Sequence, residues 1–414
     1  MKILYLCHRI PYPPNKGDKI RSYNEVRYLA LRHEVDLLCL ADEPDDMKYS
    51  ADLEGICARV AIYPLNKTRA KLRGGLSLAL GQSISVGYFY QRNVQACFDL
   101  WLQERGYDAV LCFSSTMAEY VFRSRLFDSG DGESRPKLIM DFCDVDSDKW
   151  IQYAEEARFP MDRIYRLENS RLAAYEQRVY HKFDHSVLIS EAEAALFRRI
   201  CPSAAELAVI PNGVDFEFFD ARLSDASVLH SDAKKVQGEA GGAPTIVFTG
   251  AMDYHANVDG VCWFCREIYP TLKAEFPEVR FTIVGSNPTP AVRELAAIDG
   301  ITVTGFVDDV RPYYQAADIC VIPLRLARGV QNKVLESMAM SKTVVTTSKA
   351  NAGIQAIDGE HLQVANTAEQ FIRSVTGLLN EEASRLRLGQ SAREFVVANY
   401  DWAVNMAKLE RLLI

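Results

Sequence analysis

At 414 residues, with 48% hydrophobic and 25% charged, the chain is long enough for two or three buried cores. A formal net charge of −8 excludes a general nucleic-acid binder, because a phosphate backbone requires a basic face. The ten cysteines lie mostly inside apolar runs such as Ile3–Cys7 and Ala109–Phe113, where a thiol packs as a small hydrophobe, the usage of a reducing compartment.

Short apolar runs alternate with longer amphipathic ones from end to end, the pattern of parallel sheets with helical crossovers. The first half predicts strands at 2–7, 34–40, 59–63, 108–113, 137–142, 185–189 and 207–210. Met1–Cys7 runs directly into His8, Arg9 and prolines, so no secretory leader is read there. No stretch of about 18 uncharged apolar residues occurs, so no membrane span is expected and the chain reads as cytoplasmic. After the first strand comes Pro13-Pro-Asn-Lys-Gly-Asp18, where Asp18 is expected to start a helix whose N-terminus meets a ligand.

Lys67, Arg69, Lys71 and Arg73 form a cluster without an intervening acid, and an apolar, aromatic stretch at 76–90 follows. Residues 158–182 carry six Lys/Arg against three acids, with tyrosines interleaved. Such basic–aromatic surfaces suit an anionic membrane, against the plainer reading of a solvated helix face. Asp141-Phe-Cys-Asp-Val-Asp-Ser-Asp-Lys-Trp150 imitates a calcium loop from Asp144, but Lys149 stands where that loop requires glycine. It is read as a carboxylate cluster at a strand's carboxyl end, with helix capping as the alternative. Ser190-Glu-Ala-Glu193 predicts a capping box.

Ile210-Pro-Asn-Gly-Val-Asp215 ends a strand with turn chemistry, and the polar, Gly/Ala/Ser/Lys-rich segment 220–244 predicts a flexible connection. Six further strands are expected at 245–250, 279–284, 301–304, 318–322, 343–347 and 362–364. Neither half opens with a strand followed by GxGxxG, which excludes a dinucleotide-dependent dehydrogenase. His255 and Asn257 follow the first strand of the second half, at the end where such sheets bind ligands. The pair Cys262 and Cys265 has no second pair near it and predicts helix packing, not zinc.

Asp318–Met340 is the most informative stretch. A strand ends at Pro323, a loop at 328–330 contains Gly329, and a helix is expected from about Gln331 to Met340. The first turn of such a helix presents N–H groups and a positive dipole end to phosphate oxygens, and Lys333 adds a charge there. Glu336, one turn on, is placed to accept two hydrogen bonds from a ribose diol; a surface salt bridge to Lys333 is the plainer reading.

The run GVQNKVLESMAM at 329–340, with PNGVD at 211–215 and GFVDDV at 305–310, resembles the retaining glycosyltransferases of family 4. The stretches 8–24, 141–150 and 250–264 narrow the resemblance to sugar transferases of PEP-CTERM/exosortase-associated exopolysaccharide systems. It implies a GT-B fold, two Rossmann-like doubly wound parallel-sheet domains facing a central cleft. Residues 1–205 would form the acceptor and membrane-side domain, with helix 395–414 packing back on it, and 206–394 the donor domain. Glu336 matches the glutamate that binds the donor ribose, and Phe306 and Val307 lie in the loop that meets the nucleobase. Gly329, Val330, Gln331 and Asn332 are expected to meet the donor; His255 and Asn257 either contact its sugar or phosphates or only form a turn. Gly17 is the residue of close approach beside Lys16, and Asp144 stands near the catalytic position facing the anomeric centre.

The chain departs from the family twice. Arg328 occupies the place of a second glutamate eight residues before Glu336, and the Gly-Arg…Lys-Gly pair that grips the diphosphate is absent at 250–260. Arg328 and Lys333 are the expected replacements. The implied reaction is metal-independent transfer, without cofactor, from a UDP- or GDP-sugar to a lipid-linked sugar or polysaccharide precursor. It would occur at the cytoplasmic face of an anionic inner membrane, without nucleic acid. The rival readings are a non-hydrolysing nucleotide-sugar epimerase on the same fold and a degenerate nucleotide-sugar-binding partner of a polysaccharide assembly.

Overall fold

Each apolar run read as a strand forms one in the computed structural model, which describes residues 1–127, 135–220, 242–327 and 329–414. The chain divides into two units, Met1–Pro211 with Ala403–Ile414, and Asn212–Trp402. In the first unit β1 (Lys2–Cys7), β2 (Glu34–Ala41), β3 (Arg59–Pro64), β4 (Ala109–Phe113), β5 (Lys137–Cys143), β6 (His185–Leu188) and β7 (Ala208–Val209) pair in the order β3-β2-β1-β4-β5-β6-β7. Every pairing is parallel. Helices cover both faces, so β4 is buried along its whole length; this is why these strands read as continuous apolar runs. The chain moves outward from β1 to β3 and returns to β4, which makes the β1/β4 boundary the point where strand order reverses.

The second unit repeats the plan with β8 (Thr245–Thr249), β9 (Arg280–Val284), β10 (Ile301–Val303), β11 (Ile319–Ile322), β12 (Thr343–Thr346) and β13 (Gln363–Val364). Their order is β10-β9-β8-β11-β12-β13, so the reversal lies between β8 and β11.

The units meet in sequence at Pro211/Asn212, six residues beyond position 205. The cause is local packing in the second unit. Val214 N donates to Tyr400 O at 2.8 Å, and a Cβ on Gly213 would lie 2.5 Å from Trp402 Cγ. Likewise the helix Glu382–Asn399 belongs wholly to the second unit, and the return to the first begins at Ala403, not 395. In the helix Trp402–Leu413, Met406, Leu409 and Leu413 are buried, while Glu410 bonds His33 at 2.8 Å and accepts from Tyr28 at 3.1 Å. Most of the connection read at 220–244 lies outside the described residues.

Two local readings need correction or refinement. Ser190 caps the helix Glu191–Ile200 by accepting from Glu193 N, but the Glu193 carboxylate accepts from Val145 N at 2.9 Å, so only half of the expected box exists. Cys265 packs in the core, where burial pushes its thiol up to about 12.

Candidate functional site

The strand-order reversal of the second sheet is closed by two glycines. Gly250, after β8, has φ +152°, and a Cβ there would lie 2.7 Å from Asn257 Nδ2 and 2.9 Å from Lys333 Nζ. A Cβ on Gly285, after β9, would lie 1.7 Å from Gly250 O, so the two strand ends abut and neither tolerates a side chain. Against this floor Lys333 donates from Nζ to Asn257 Oδ1 at 2.5 Å and lies 4.7 Å from the Phe248 ring centroid. Asn257 is held in turn by donating to Ala251 O at 2.8 Å. Burial lowers Lys333 to about 8, with Glu336 opposing the shift.

Glu336 has its own partner. The Tyr314 hydroxyl donates to Glu336 Oε2 at 2.9 Å and lies 2.7 Å from Thr249 Oγ1. Burial raises Glu336, opposed by Tyr314 and Lys333. Lys333 is thus a desolvated ammonium whose hydrogen bond goes to a neutral amide, an arrangement that an anion would relieve. Both side chains rise from the helix Asn332–Ala339, which begins after β11. Its start carries no side-chain cap, and the Asn332 Oδ1 atom is shielded without a hydrogen-bond partner. Half-buried Val330 and Gln331 precede it, and Gly329 turns the loop at φ +57°. The loop runs so close to Gly353 that a Cβ there would lie 2.2 Å from Gly329 O. Arg328 lies outside the described residues.

His255 is exposed in the first turn of the helix His255–Trp263, while Asn257, two residues on, is buried. Phe306 is 74% exposed beyond β10 and Val307 is half-buried beside it, in a turn made by Gly305 at φ +73°. Asp309 in the same turn pairs with Arg311 at 2.7 Å, at the start of the helix Arg311–Ala316 that carries Tyr314.

In the first unit, Lys16 and Gly17 are exposed at the start of the helix Gly17–Ala30, and a Cβ on Gly17 would meet nothing within 4 Å. Among the described residues no neighbour requires glycine there. The adjacent Asp18 is tied to Arg9 at 2.7 Å and lies 3.4 Å from His8 Nε2. Burial alone would raise Asp18, but His8 and Arg9 hold it well below the usual carboxylate range. His8 stacks on Phe113 with ring centroids 5.8 Å apart, at the β1/β4 reversal, and its Nδ1 is shielded without a partner.

The 141–150 carboxylates do not act as one cluster. Asp141 is wholly buried, accepting from Arg21 Nη2 at 2.6 Å, and belongs to the core. Asp144 and Asp146 share Lys149, at 3.4 and 2.8 Å, so the lysine that breaks the calcium pattern already occupies the position of a cation. Asp144 Oδ1 is shielded without a partner. Behind them Glu176 accepts from Ser147 N and Oγ at 3.1 and 2.5 Å, and Glu193 from Val145 N. These buried carboxylates occupy the start of the helix Asp146–Glu156.

Tyr314, His8, Glu176 and Glu193 were absent from the sequence-based candidates. Only His8 had a local signal, as the residue that follows an opening strand.

Two family models match the chain: one described as Glycosyl transferase 4-like domain over residues 22–213, the other as Glycosyl transferases group 1 over 243–381. An uncharacterised 44.6 kDa protein in the cps region of Klebsiella pneumoniae is 22% identical over 417 residues, 97% of this chain and 96% of its own length. A phosphatidyl-myo-inositol mannosyltransferase of Mycolicibacterium smegmatis is 27% identical over 210 residues, 49% of this chain and 50% of that protein. Among solved structures, sucrose-phosphate synthase from Thermosynechococcus elongatus superposes with a TM-score of 0.71 at 16% identity, covering 100% of this chain and 98% of that one. HepE of Anabaena, solved in complex with UDP, gives 0.69 at 15% identity, with 100% and 99% covered. The two sheets, the two family models that fall on them and these shared folds make the chain a glycosyltransferase of the family 4 type with the GT-B fold.

Proposed function

We propose that the second unit binds a nucleoside-diphosphate sugar at the β8/β11 reversal and that the enzyme transfers the sugar with retention, without a metal ion. The observation that carries this reading is the half-buried, desolvated Lys333 ammonium beside the uncapped start of the helix Asn332–Ala339, with Glu336 one turn on. The ammonium and the helix dipole meet the diphosphate, and Glu336 accepts from the ribose hydroxyls. HepE, of the same fold, is described in complex with UDP and with UDP-glucose, which supports this donor class. The anomeric C–O bond to the diphosphate breaks as a bond to the acceptor oxygen forms on the same face, and the acceptor proton passes to the departing diphosphate. Asp144 is the first unit's candidate for steadying the positive charge on the sugar ring.

Glu336→Ala raises the donor KM by about 1.5–3 kcal/mol, the worth of hydrogen bonds to a charged group. Wild-type activity persists in a chelator. Steady-state kinetics with a panel of UDP- and GDP-sugars tests both, and an unchanged donor KM in the variant removes Glu336 from the site. Transfer also separates this reading from an epimerase, which would turn over donor alone.

The acceptor we infer is a lipid-linked precursor in exopolysaccharide assembly of the PEP-CTERM type. The cps-region relative and the phosphatidyl-inositol acceptor named for the mannosyltransferase support that class. Among the described residues no helix is long and apolar enough to cross a membrane. The helix Lys67–Ala79 offers a peripheral contact instead. Leu72, Leu76 and Leu80 follow one face and its C-terminal edge and are 71%, 61% and 68% exposed. Of the four basic residues, Lys67 is paired with Glu43 at 2.8 Å and Arg73 donates to Tyr88 O at 3.0 Å, which leaves Arg69 and Lys71 exposed beside the leucines. Replacing Arg69 and Lys71 by glutamine costs about 1 kcal/mol each in binding to anionic vesicles. Sedimentation with vesicles of graded anionic content checks this, and binding indifferent to both changes returns the helix to a solvated face.

A further inference from the structure

The first unit holds a second basic site, distant in sequence from the donor-binding residues. Arg171, Tyr175 and Arg178 lie on one face of the helix Met161–Lys182, spaced four and three residues apart. Glu119, Phe122 and Arg123 lie likewise on one face of the helix Ala118–Arg123. Together with the turn at Gly81–Ser83 these two faces line a half-open cavity of about 450 Å³.

Three guanidiniums face one carboxylate in this cavity. Glu119 is committed to Arg123, at 2.5 Å. Arg171 donates to the carbonyls of Leu78 and Gln82, at 2.7 and 3.2 Å, which orients its fork without neutralising it. Arg178 rests on aromatic faces, 4.7 Å from the Phe122 ring centroid and 5.9 Å from that of Tyr175. Stacking fixes the plane of a guanidinium and leaves its N–H edge for an acceptor.

The tyrosine supplies an independent observation. Tyr175 is 7% exposed, and among the described residues its shielded hydroxyl has only the facing Glu119 carboxylate as a partner, out of good hydrogen-bonding geometry. A buried hydroxyl left in that state costs free energy that a ligand oxygen would recover. Burial, and after it the facing Glu119 carboxylate, hold the tyrosine well above its usual pKa, so it stays a donor.

We propose that this cavity binds a phosphomonoester, gripped by the Arg171 and Arg178 forks with Tyr175 donating to a further oxygen. A tetrahedral dianion offers several acceptor oxygens to converging donors and answers the excess of positive charge, whereas a neutral sugar answers neither. The ligand is either a soluble phosphomonoester or a phosphatidate-type headgroup. The second source fits the position of the cavity, because the chain that Arg171 grips at Leu78 and Gln82 flanks exposed Leu80.

The test uses the full-length protein with two probes: glycerol 3-phosphate, titrated calorimetrically, and phosphatidylcholine vesicles doped with phosphatidic acid or, at equal charge, with phosphatidylserine. Arg178 is exposed, so Arg178→Gln leaves the fold intact. It should weaken binding about tenfold or more, the consequence of losing charge-assisted hydrogen bonds. Tyr175→Phe should weaken it by less, and Lys333→Met, in the donor site, should leave it unchanged. Binding of glycerol 3-phosphate that follows this pattern supports a soluble ligand. A preference for phosphatidic acid over phosphatidylserine that Arg178→Gln abolishes supports the headgroup. If neither probe shows binding sensitive to Arg178→Gln, or if Lys333→Met removes that binding equally, the proposal is overturned.

Discussion

Lys333→Met lowers affinity for a nucleoside diphosphate by about 3 kcal/mol, roughly a hundredfold, while the melting temperature moves little. The lysine ammonium lies 4.7 Å from the Phe248 ring centroid, and methionine replaces most of the side chain's volume against that ring, so packing is largely kept. Removing a half-buried, desolvated ammonium bonded to an amide offsets the hydrogen bond that Asn257 Oδ1 loses. The affinity has no such compensation, since the proposed diphosphate site loses the ammonium that would meet it. The wild-type pH profile gives a second signature. With Lys333 lowered to about 8, nearly all molecules carry the charge at pH 7, and about one in ten does at pH 9. Binding must then restore the proton, so affinity falls about tenfold over that interval, and Lys333→Met abolishes the dependence. Calorimetric titration of UDP and GDP at the two pH values checks both results. A wild-type affinity that is flat from pH 7 to 9 would remove Lys333 from contact with the phosphates.

The residues legible in the sequence were those whose place follows from a local order of elements, not those whose place depends on a partner. Lys333 and Glu336 announce themselves because a buried strand, a glycine loop and a helix start follow in order, and that order alone places both side chains. The strands were legible because, buried on both faces, they are short continuous apolar runs that lack the 3.6-residue polar periodicity of the amphipathic helices between them. What escaped depends on distant partners. Tyr314 sits in an unremarkable helix before β11, reaches Glu336 beyond that strand, and meets Thr249 only because β8 and β11 are neighbours. Asp141 reads as a ligand-facing carboxylate at a strand end, and Arg21, 120 residues earlier, takes it into the core. Glu193 stands in the correct place for a capping box and is drawn instead to Val145. The division at Pro211 falls inside the turn Ile210–Asp215 read from the sequence, and what the sequence did not show is that Gly213 is packed by Trp402 from the far end of the unit.

Those distant carboxylates carry the second large effect, a loss of stability in the first unit as pH rises. Burial, and after it the charge of Asp146, raises Glu176 from 4.5 to about 8, while its bonds to Ser147 oppose the shift. Burial, and after it Asp144, raises Glu193 to about 7. A carboxyl whose folded pKa exceeds its unfolded one binds more protons when folded, so its contribution is fully present below about 4.5 and is lost as pH rises through the folded value. Between pH 5 and 8 Glu176 therefore tilts stability downward by up to about 1.4 kcal/mol per pH unit. Glu176→Gln keeps an acceptor for Ser147 and has no charge to bury. The variant should match wild type near pH 5 and exceed it by several kcal/mol, about 3, at pH 8. Glu176→Ala behaves differently, losing about 1–3 kcal/mol at every pH because the Ser147 N–H and hydroxyl are left buried without an acceptor. Urea titrations at pH 5, 6.5 and 8 can follow Trp150, which lies on the helix Asp146–Glu156 and packs against Tyr165. If wild type and Glu176→Gln lose stability in parallel across that range, Glu176 is ionised in the folded protein and the start of this helix is held by a charge, not by a proton.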